Sequence, residues 1–469
     1  MKEIVKRDRV CNKRIFAAGL VCMLLFSGCG TSDKDRLKEA LSNVDTDISS
    51  STDADETVSD VQDQLIYTLT SASGDNKINV DAKVTADGYG NLSVYAETPI
   101  IIDDKYLNNL AENIFDDGKY EIVKPYEICS LEELEREDQL LRELYEAEGV
   151  EYSFWDIAYY IENYNEKNVQ ELPQGTVIFH SEDDVEGETI STDSGTLRGY
   201  VDGVPFELRY YADDSNGYKY SSLILSRVVP HGRLYTSCST EYELAHTLYG
   251  ENACDLDSSM HTAQDLMERM GYTDMSLIAT EYLVLNEDTS DGVYMDGYNF
   301  TFVRETDGIQ HLLYNQTYAV VKDTYEVEAM LDTLPGAVQE WISISVDSSG
   351  ICGISFSIRY DRGERLSEHI STLSFAQVDA VAQDYMNHVL DAYDAYGAWA
   401  EINIVEVRFG YVVLLYDDQY TLVPVWMYVD EKSFEYSAFS NGYFAVNALD
   451  GSIVQFCYSG ETLPLGAWH

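Results

Sequence analysis

The first strong pattern in the chain is an alternation. Ile78, Val80, Ala82 and Val84 are interleaved with Lys77, Asn79, Asp81, Lys83 and Thr85, which predicts a strand over 77–85 with one face in a core and the other in water. Extended segments over 65–71 and 91–99 flank it, with Asp87-Gly88 as a turn. The period then changes: Tyr106, Leu107, Leu110 and Ile114 fall at helical spacing within 103–115, and a strand over 120–125 follows Asp117-Gly118. Residues 131–147 predict a long charged helix. Leu131, Leu134, Leu140, Leu141 and Leu144 form its apolar stripe, and Ser130 with Glu133 three residues on has the form of a capping box. A shorter helix over 154–164 is unusually aromatic.

The middle of the chain alternates as ribbon, over 189–191, 196–201, 204–211 and 218–228, with Asp202-Gly203 and Asn216-Gly217 between strands. Asp-Gly or Asn-Gly recurs at 87, 117, 202, 216, 291, 296, 307, 441 and 450. These pairs favour hairpin connections and argue against a parallel, doubly wound sheet, which needs helical crossovers. In the second half, a helix containing Ala263-Gln264-Asp265-Leu266-Met267 leads to strands over 276–285 and 293–304. A helix containing Ala382-Gln383-Asp384-Tyr385-Met386 leads to strands over 401–409, 411–416 and 421–428. That shared order is the trace an internal duplication of a helix-plus-sheet module would leave. The expectation is an α+β fold of hairpin-rich antiparallel sheets with helices packed on one face, in two or three modules. Its segments are an N-terminal α+β module over 61–232, a helix-plus-sheet module over 233–322 and a C-terminal one over 323–469.

The first sixty residues read differently. Lys2, Lys6, Arg7, Arg9, Lys13 and Arg14 precede an apolar run from Ile15 to Phe26 that closes on small residues and a cysteine. Spanning a bilayer takes about 20 apolar residues, so the run is too short to cross. Phe26-Ser27-Gly28-Cys29 resembles the lipobox of bacterial lipoproteins. The resemblance implies a signal peptide over 1–28, cleavage before Cys29, a diacylglycerol on its thiol and a location on the extracytoplasmic face of the cell membrane. Acyl chains contribute ~0.8 kcal/mol per buried methylene, and two of them give a stable anchor. The stretch 29–60 is rich in Ser, Thr and Asp and predicts an acidic tether with a reach of roughly 30 Å.

Charge narrows the partners. With 83 acidic residues against 30 basic, the formal net charge is −53. Such a field repels nucleic acid and anionic head groups, so no nucleic-acid partner is expected and membrane attachment must rest on the lipid. Hydrophobic residues at 45% still supply material for a sizeable core. Beyond the signal and Cys29 the cysteines are Cys129, Cys238, Cys254, Cys352 and Cys457, an odd and widely spaced set without a Cys-x-x-Cys pair. Cys238 with Cys254 is the one bridge their spacing suggests; otherwise they are small buried thiols.

Ile342-Ser343-Ile344-Ser345-Val346-Asp347-Ser348-Ser349-Gly350-Ile351-Cys352-Gly353-Ile354-Ser355-Phe356 reads as a hairpin, and Leu373-Ser374-Phe375 leads into the next helix. Together they resemble an uncharacterised family of lipoproteins from low-GC Gram-positive bacteria, a resemblance that brings no activity with it. Leu422-Val423-Pro424-Val425-Trp426 with Val446-Asn447-Ala448-Leu449-Asp450-Gly451-Ser452-Ile453-Val454 resembles the last hairpin of PepSY-like modules, including extracytoplasmic regulators of sensor kinases. Those regulators usually carry a transmembrane anchor, and here a lipid stands in its place.

No nucleophile elbow, His-Glu-x-x-His or phosphate-cradling glycine loop is present. Cys238, His246, Cys254 and His261 are spaced too widely for a compact zinc site, and Asp288-Thr289-Ser290-Asp291-Gly292 lacks the alternating ligands of an EF-hand, so neither a metal site nor a cofactor is assigned. Carboxylate pairs are so numerous that spacing alone selects none. The most suggestive surface feature is aromatic: Trp155, Tyr159 and Tyr160 on one helix, and Tyr393, Tyr396 and Trp399 at the end of another. The chain therefore reads as a lipid-anchored surface protein without catalysis that binds a protein or cell-wall glycan or regulates one. The alternatives are a carbohydrate-active enzyme using an Asp/Glu pair and the solute-binding protein of a transporter.

Overall fold

Three strands come first in the computed structural model: β1 (Gln64–Thr70), β2 (Lys77–Thr85) and β3 (Ser93–Pro99), followed by α1 (Asp104–Ile114), β4 (Tyr120–Val123), α2 (Leu131–Ala147) and α3 (Trp155–Glu162). Next are β5 (Ser194–Val201), β6 (Val204–Asp213), β7 (Tyr220–Arg227), β8 (Tyr235–Ser239), α4 (Leu256–Arg269), β9 (Met275–Leu285), β10 (Tyr294–Thr306) and β11 (Ile309–Gln310). After β12 (Thr317–Lys322) and β13 (Glu326–Met330) come β14 (Trp341–Asp347), β15 (Gly350–Ser357), β16 (Tyr360–Glu368) and α5 (Phe375–Tyr396). The last four strands are β17 (Glu401–Tyr416), β18 (Gln419–Asp430), β19 (Phe444–Asn447) and β20 (Ile453–Cys457). The structure describes residues 61–457 apart from 90–91, 101–103, 148, 150–151, 153–154, 165–193, 214–219, 230–234, 240–253, 286–293, 314–316, 323–325, 331–339, 358–359, 369, 371, 417–418 and 432–441. All of them belong to one unit, Ser49–His469.

The strands form two sheets, antiparallel but for the β2–β17 pairing and one isolated bridge. The first follows β1-β2-β17-β18-β19-β20-β12-β13, with β3 bridging β18 and β16 at its side; the second follows β4-β5-β6-β7-β15-β14-β10-β9-β8, with β11 on β10. The fold is α+β, as the hairpin signals indicate. Where φ is described, the turn pairs behave as their chemistry requires: Asp202 and Gly203 at φ 51° and 79° join β5 to β6, and Asp307 and Gly308 at 55° and 82° join β10 to β11. Asp296-Gly297 is a different case. It lies inside β10 at a bulge against β9, and a Cβ on Gly297 would collide with the Val346 carbonyl on β14.

The expected helix-then-strands unit is present three times among the described residues. α1 precedes the adjacent strands β4-β5-β6-β7, with α2 and α3 inserted after β4; α4 precedes β9-β10-β14-β15, with β11 to β13 inserted after β10; and α5 precedes β17-β18-β19-β20. In the second sheet the first two units lie back to back, because their fourth strands, β7 and β15, pair antiparallel. Each of the segments 61–232, 233–322 and 323–469 contributes strands to both sheets.

The cores follow from the amphipathic faces. Val378, Ala382, Tyr385, Met386 and Val389 of α5 pack on Ile78, Val80, Trp426, Tyr428 and Phe444 of the first sheet, and Phe375 meets Trp426 at 4.6 Å between ring centroids. Leu107, Leu110 and Ile114 of α1 and Ala263, Leu266 and Met267 of α4 pack on Leu208, Phe300, Ile344 and Phe356 of the second. α2 and α3 form a small third cluster around Leu134, Ile157 and Cys129. The capping box at α2 is present, Glu133 N donating to Ser130 Oγ at 3.2 Å and Ser130 N to Glu133 Oε2 at 2.7 Å. A second box at Ser374 and Gln377 opens α5, and Gly397 in the left-handed region closes it.

Candidate functional site

One face of the first sheet carries α5; the other lines a cleft. Alternation along β2 sends Ala82 and Val84 into the core and leaves Lys83 and Thr85 on the opposite face. Parallel pairing sets Glu406 beside Lys83 and Arg408 beside Thr85, and antiparallel pairing sets Met427 beside Arg408. The segment from Ile309 to Leu313 crosses this face as a strap. Leu312 N donates to the Tyr411 carbonyl at 2.8 Å, and His311 forms an isolated bridge to Tyr411. Two glycines admit it: a Cβ on Gly88 would collide with Ile309, and one on Gly410 would stand 2.5 Å from Leu312 Cγ and 2.7 Å from the Gln310 carbonyl. With Leu277 and Ile278 of β9 as the opposite wall and Asp87 at the rim, the cleft has a volume of about 240 Å³ and is open to solvent.

The polar groups of the cleft are largely satisfied. Arg408 holds Glu406 bidentately, both contacts at 2.6 Å. His311 is buried, and burial together with Arg304 and Arg362 holds its pKa far below the ordinary histidine value, so the ring is neutral. Its Nε2 lies 2.9 Å from Thr306 Oγ1, which accepts from Arg362 Nη2 at 2.7 Å. The other ring nitrogen, Nδ1, lies 3.7 Å from Glu340 Oε2.

Beneath the strap, charged groups join the two sheets. Arg304 of β10 donates through Nη1 to the Tyr360 carbonyl at 2.7 Å and contacts Glu340 Oε1 at 3.0 Å, and Tyr360 N donates to the same carboxylate at 3.1 Å. Tyr95 of β3 donates to Asp307 at 2.5 Å while Arg365 donates to the Tyr95 hydroxyl at 2.7 Å. Glu97 is the exception. It is 5% exposed, it faces Arg362 across the β3–β16 ladder, and neither carboxylate oxygen has a hydrogen-bond partner. Burial, and after it the charge of Glu340, pushes its pKa up to about 8. A pair with one raised pKa is what glycoside hydrolysis requires, but Glu340 is only 2% exposed and Glu97 little more, so substrate has no access to either carboxylate.

No family model and no curated protein matches the chain. The structure is similar to the crystal structure of an uncharacterized protein from Eubacterium rectale, at 12% identity and a TM-score of 0.38, covering 91% of this chain and 99% of that one. It is also similar to the Bacillus megaterium YpeB C-terminal domain, at 9% identity and a TM-score of 0.21, covering 57% of this chain and 90% of that one.

Four of the six aromatic residues singled out in the sequence have described side chains. Tyr159 is 62% exposed on α3, and Tyr160 turns inward to meet Tyr126 at 5.7 Å. Tyr393 packs against the first core and Trp399, 72% exposed, stands beyond α5. Tyr160 thus belongs to the cluster around Leu134 and Tyr393 to the core of the first sheet. The side chains of Trp155 and Tyr396, like Cys29, His246 and the loop 288–292, lie outside the described residues. The Cys254 thiol donates to the Asp296 carbonyl at 3.0 Å, and His261 is an exposed partner of Asp265. Sequence reasoning missed the cleft because β2, β9, the strap, β17 and β18 each supply only one to four of its residues. Its one legible sign is Gly410, a glycine inside an otherwise continuous apolar run.

Proposed function

We propose that this chain is an extracytoplasmic lipoprotein, held on the membrane by a diacylglycerol on Cys29, whose folded body is a non-catalytic binding or regulatory module. The observation that carries the proposal is the basic segment and short apolar run ending in Phe26-Ser27-Gly28-Cys29. The cleft supports binding over turnover: Glu406 and Arg408 neutralise each other, and the His311 ring is neutral and committed to Thr306. The PepSY-like sequence of the closing hairpin, which contributes β19 and β20, supports a regulatory role.

The test is detergent phase partition of the native chain beside Cys29→Ser, followed by incubation of the purified chain with isolated cell walls and a membrane fraction. The native chain is expected in the detergent phase and the variant in the aqueous phase, with a wall component or membrane protein retained and no sugar released. A native chain in the aqueous phase contradicts the anchor. Release of soluble sugar contradicts the non-catalytic role and favours the carbohydrate-active reading.

A further inference from the structure

We infer that the cleft beneath the Ile309–Leu313 strap takes a small zwitterion with an apolar side chain, a free amino acid or a dipeptide; the inference rests on the binding role proposed above. Size is the first argument. At about 240 Å³ the cleft lies below the roughly 300–1,000 Å³ of pockets for drug-sized ligands, which suits a ligand no larger than an amino acid or a dipeptide. The second argument is charge. The bidentate Glu406–Arg408 pair removes itself from the balance, which leaves Lys83 and Asp87, one of each sign and both exposed at the rim. Lys83 has no ion-pair partner among the described residues.

On a chain of net charge −53, a free carboxylate is repelled almost everywhere, and a lysine beside a charge-balanced pair is where it can settle. Asp87 then accepts the ammonium group of the same molecule. The third argument is the walls. Leu277 is 38% exposed on β9, and Ile278, Leu312, Leu313 and Met427 complete an apolar lining. The close approach of the strap to Gly88 and Gly410 holds it by its own packing, so little ordering opposes binding.

Isothermal titration calorimetry of the purified full chain in detergent micelles, with leucine and leucyl-leucine as probes, tests this. Saturable binding of either probe is expected, the tighter one naming the source as amino acid or peptide. N-acetyl-leucinamide, which keeps the side chain and lacks both charges, is expected to bind at least tenfold more weakly. Lys83→Glu and Asp87→Lys, at exposed positions where circular dichroism checks folding, should each weaken the zwitterion at least tenfold. Absence of saturable heat with both zwitterions overturns the assignment, as does equal binding of the capped probe or indifference to both substitutions. Mass spectrometry of the recovered leucyl-leucine separates the two claims: a cleaved probe overturns the non-catalytic role and leaves the cleft as the binding site.

Discussion

Replacing Glu97 with glutamine removes a buried carboxyl whose pKa is raised from 4.5 to about 8 and retains its shape. The unfolded chain titrates this group near 4.5 and the folded chain near 8, so between those values the folded state holds the extra proton. Stability is therefore full below pH 4.5 and is lost as pH rises through 8. At ~1.4 kcal/mol for each tenfold change in proton affinity, the group costs about 3 kcal/mol at pH 7 and about 5 kcal/mol above pH 8. Glutamine does not titrate. Its amide, buried where the carboxylate oxygens have no partner, adds an offset of ~1 to 3 kcal/mol that is independent of pH. The signature is the pH dependence of the difference: relative to the native chain, Glu97→Gln should gain about 3 kcal/mol between pH 4.5 and 7, and a further ~1 kcal/mol by pH 9. Urea denaturation of both chains at pH 4.5, 7 and 9 measures it. A difference constant to within about 0.5 kcal/mol across that range would show that Arg304 and Arg362 keep Glu97 ionised, and would refute the reasoning.

Asp347→Ala leaves the Arg227 guanidinium buried without the carboxylate it meets at 2.8 Å, and Arg227→Met leaves that carboxylate buried without its cation; each should destabilise by ~3 to 5 kcal/mol in urea melts, more than the double variant, which removes both charges. Ser374→Ala deletes the cap of α5 and should cost about 1 kcal/mol by the same assay. Burial pushes the Cys352 thiol up to about 12, so iodoacetamide at pH 8 should leave it unmodified in the folded chain and alkylate it in urea, as read by peptide mass spectrometry. Gly410→Val drives a side chain into Leu312 and should lift the strap, lowering the melting temperature by several degrees in scanning calorimetry.

Strong periodicity made much of the fold legible. The alternation of Ile78 to Val84 and the leucine stripe of 131–147 gave the bounds observed for β2 and α2, because in both the apolar positions and the burial agree. β16 was missed for the opposite reason: Asp361 to Arg365 are exposed, and the strand is held by pairing with β3 and by arginines over Tyr95, not by an apolar face. Residues 401–416 were divided at Gly410, which reads as a break. In the structure β17 runs through it, and the missing side chain makes room for the strap. Glu97 and Glu340 were invisible among 83 acidic residues, since what marks them is burial that only assembly of the two sheets creates.

The lipid anchor at Cys29 is tested most directly by mass spectrometry of the N-terminal peptide from chain purified out of the membrane fraction of its own host. The account predicts a peptide that begins at Cys29 and carries a diacylglyceryl group on sulfur. Chain recovered from the soluble fraction with residues 1–28 still attached and no acyl mass would contradict it.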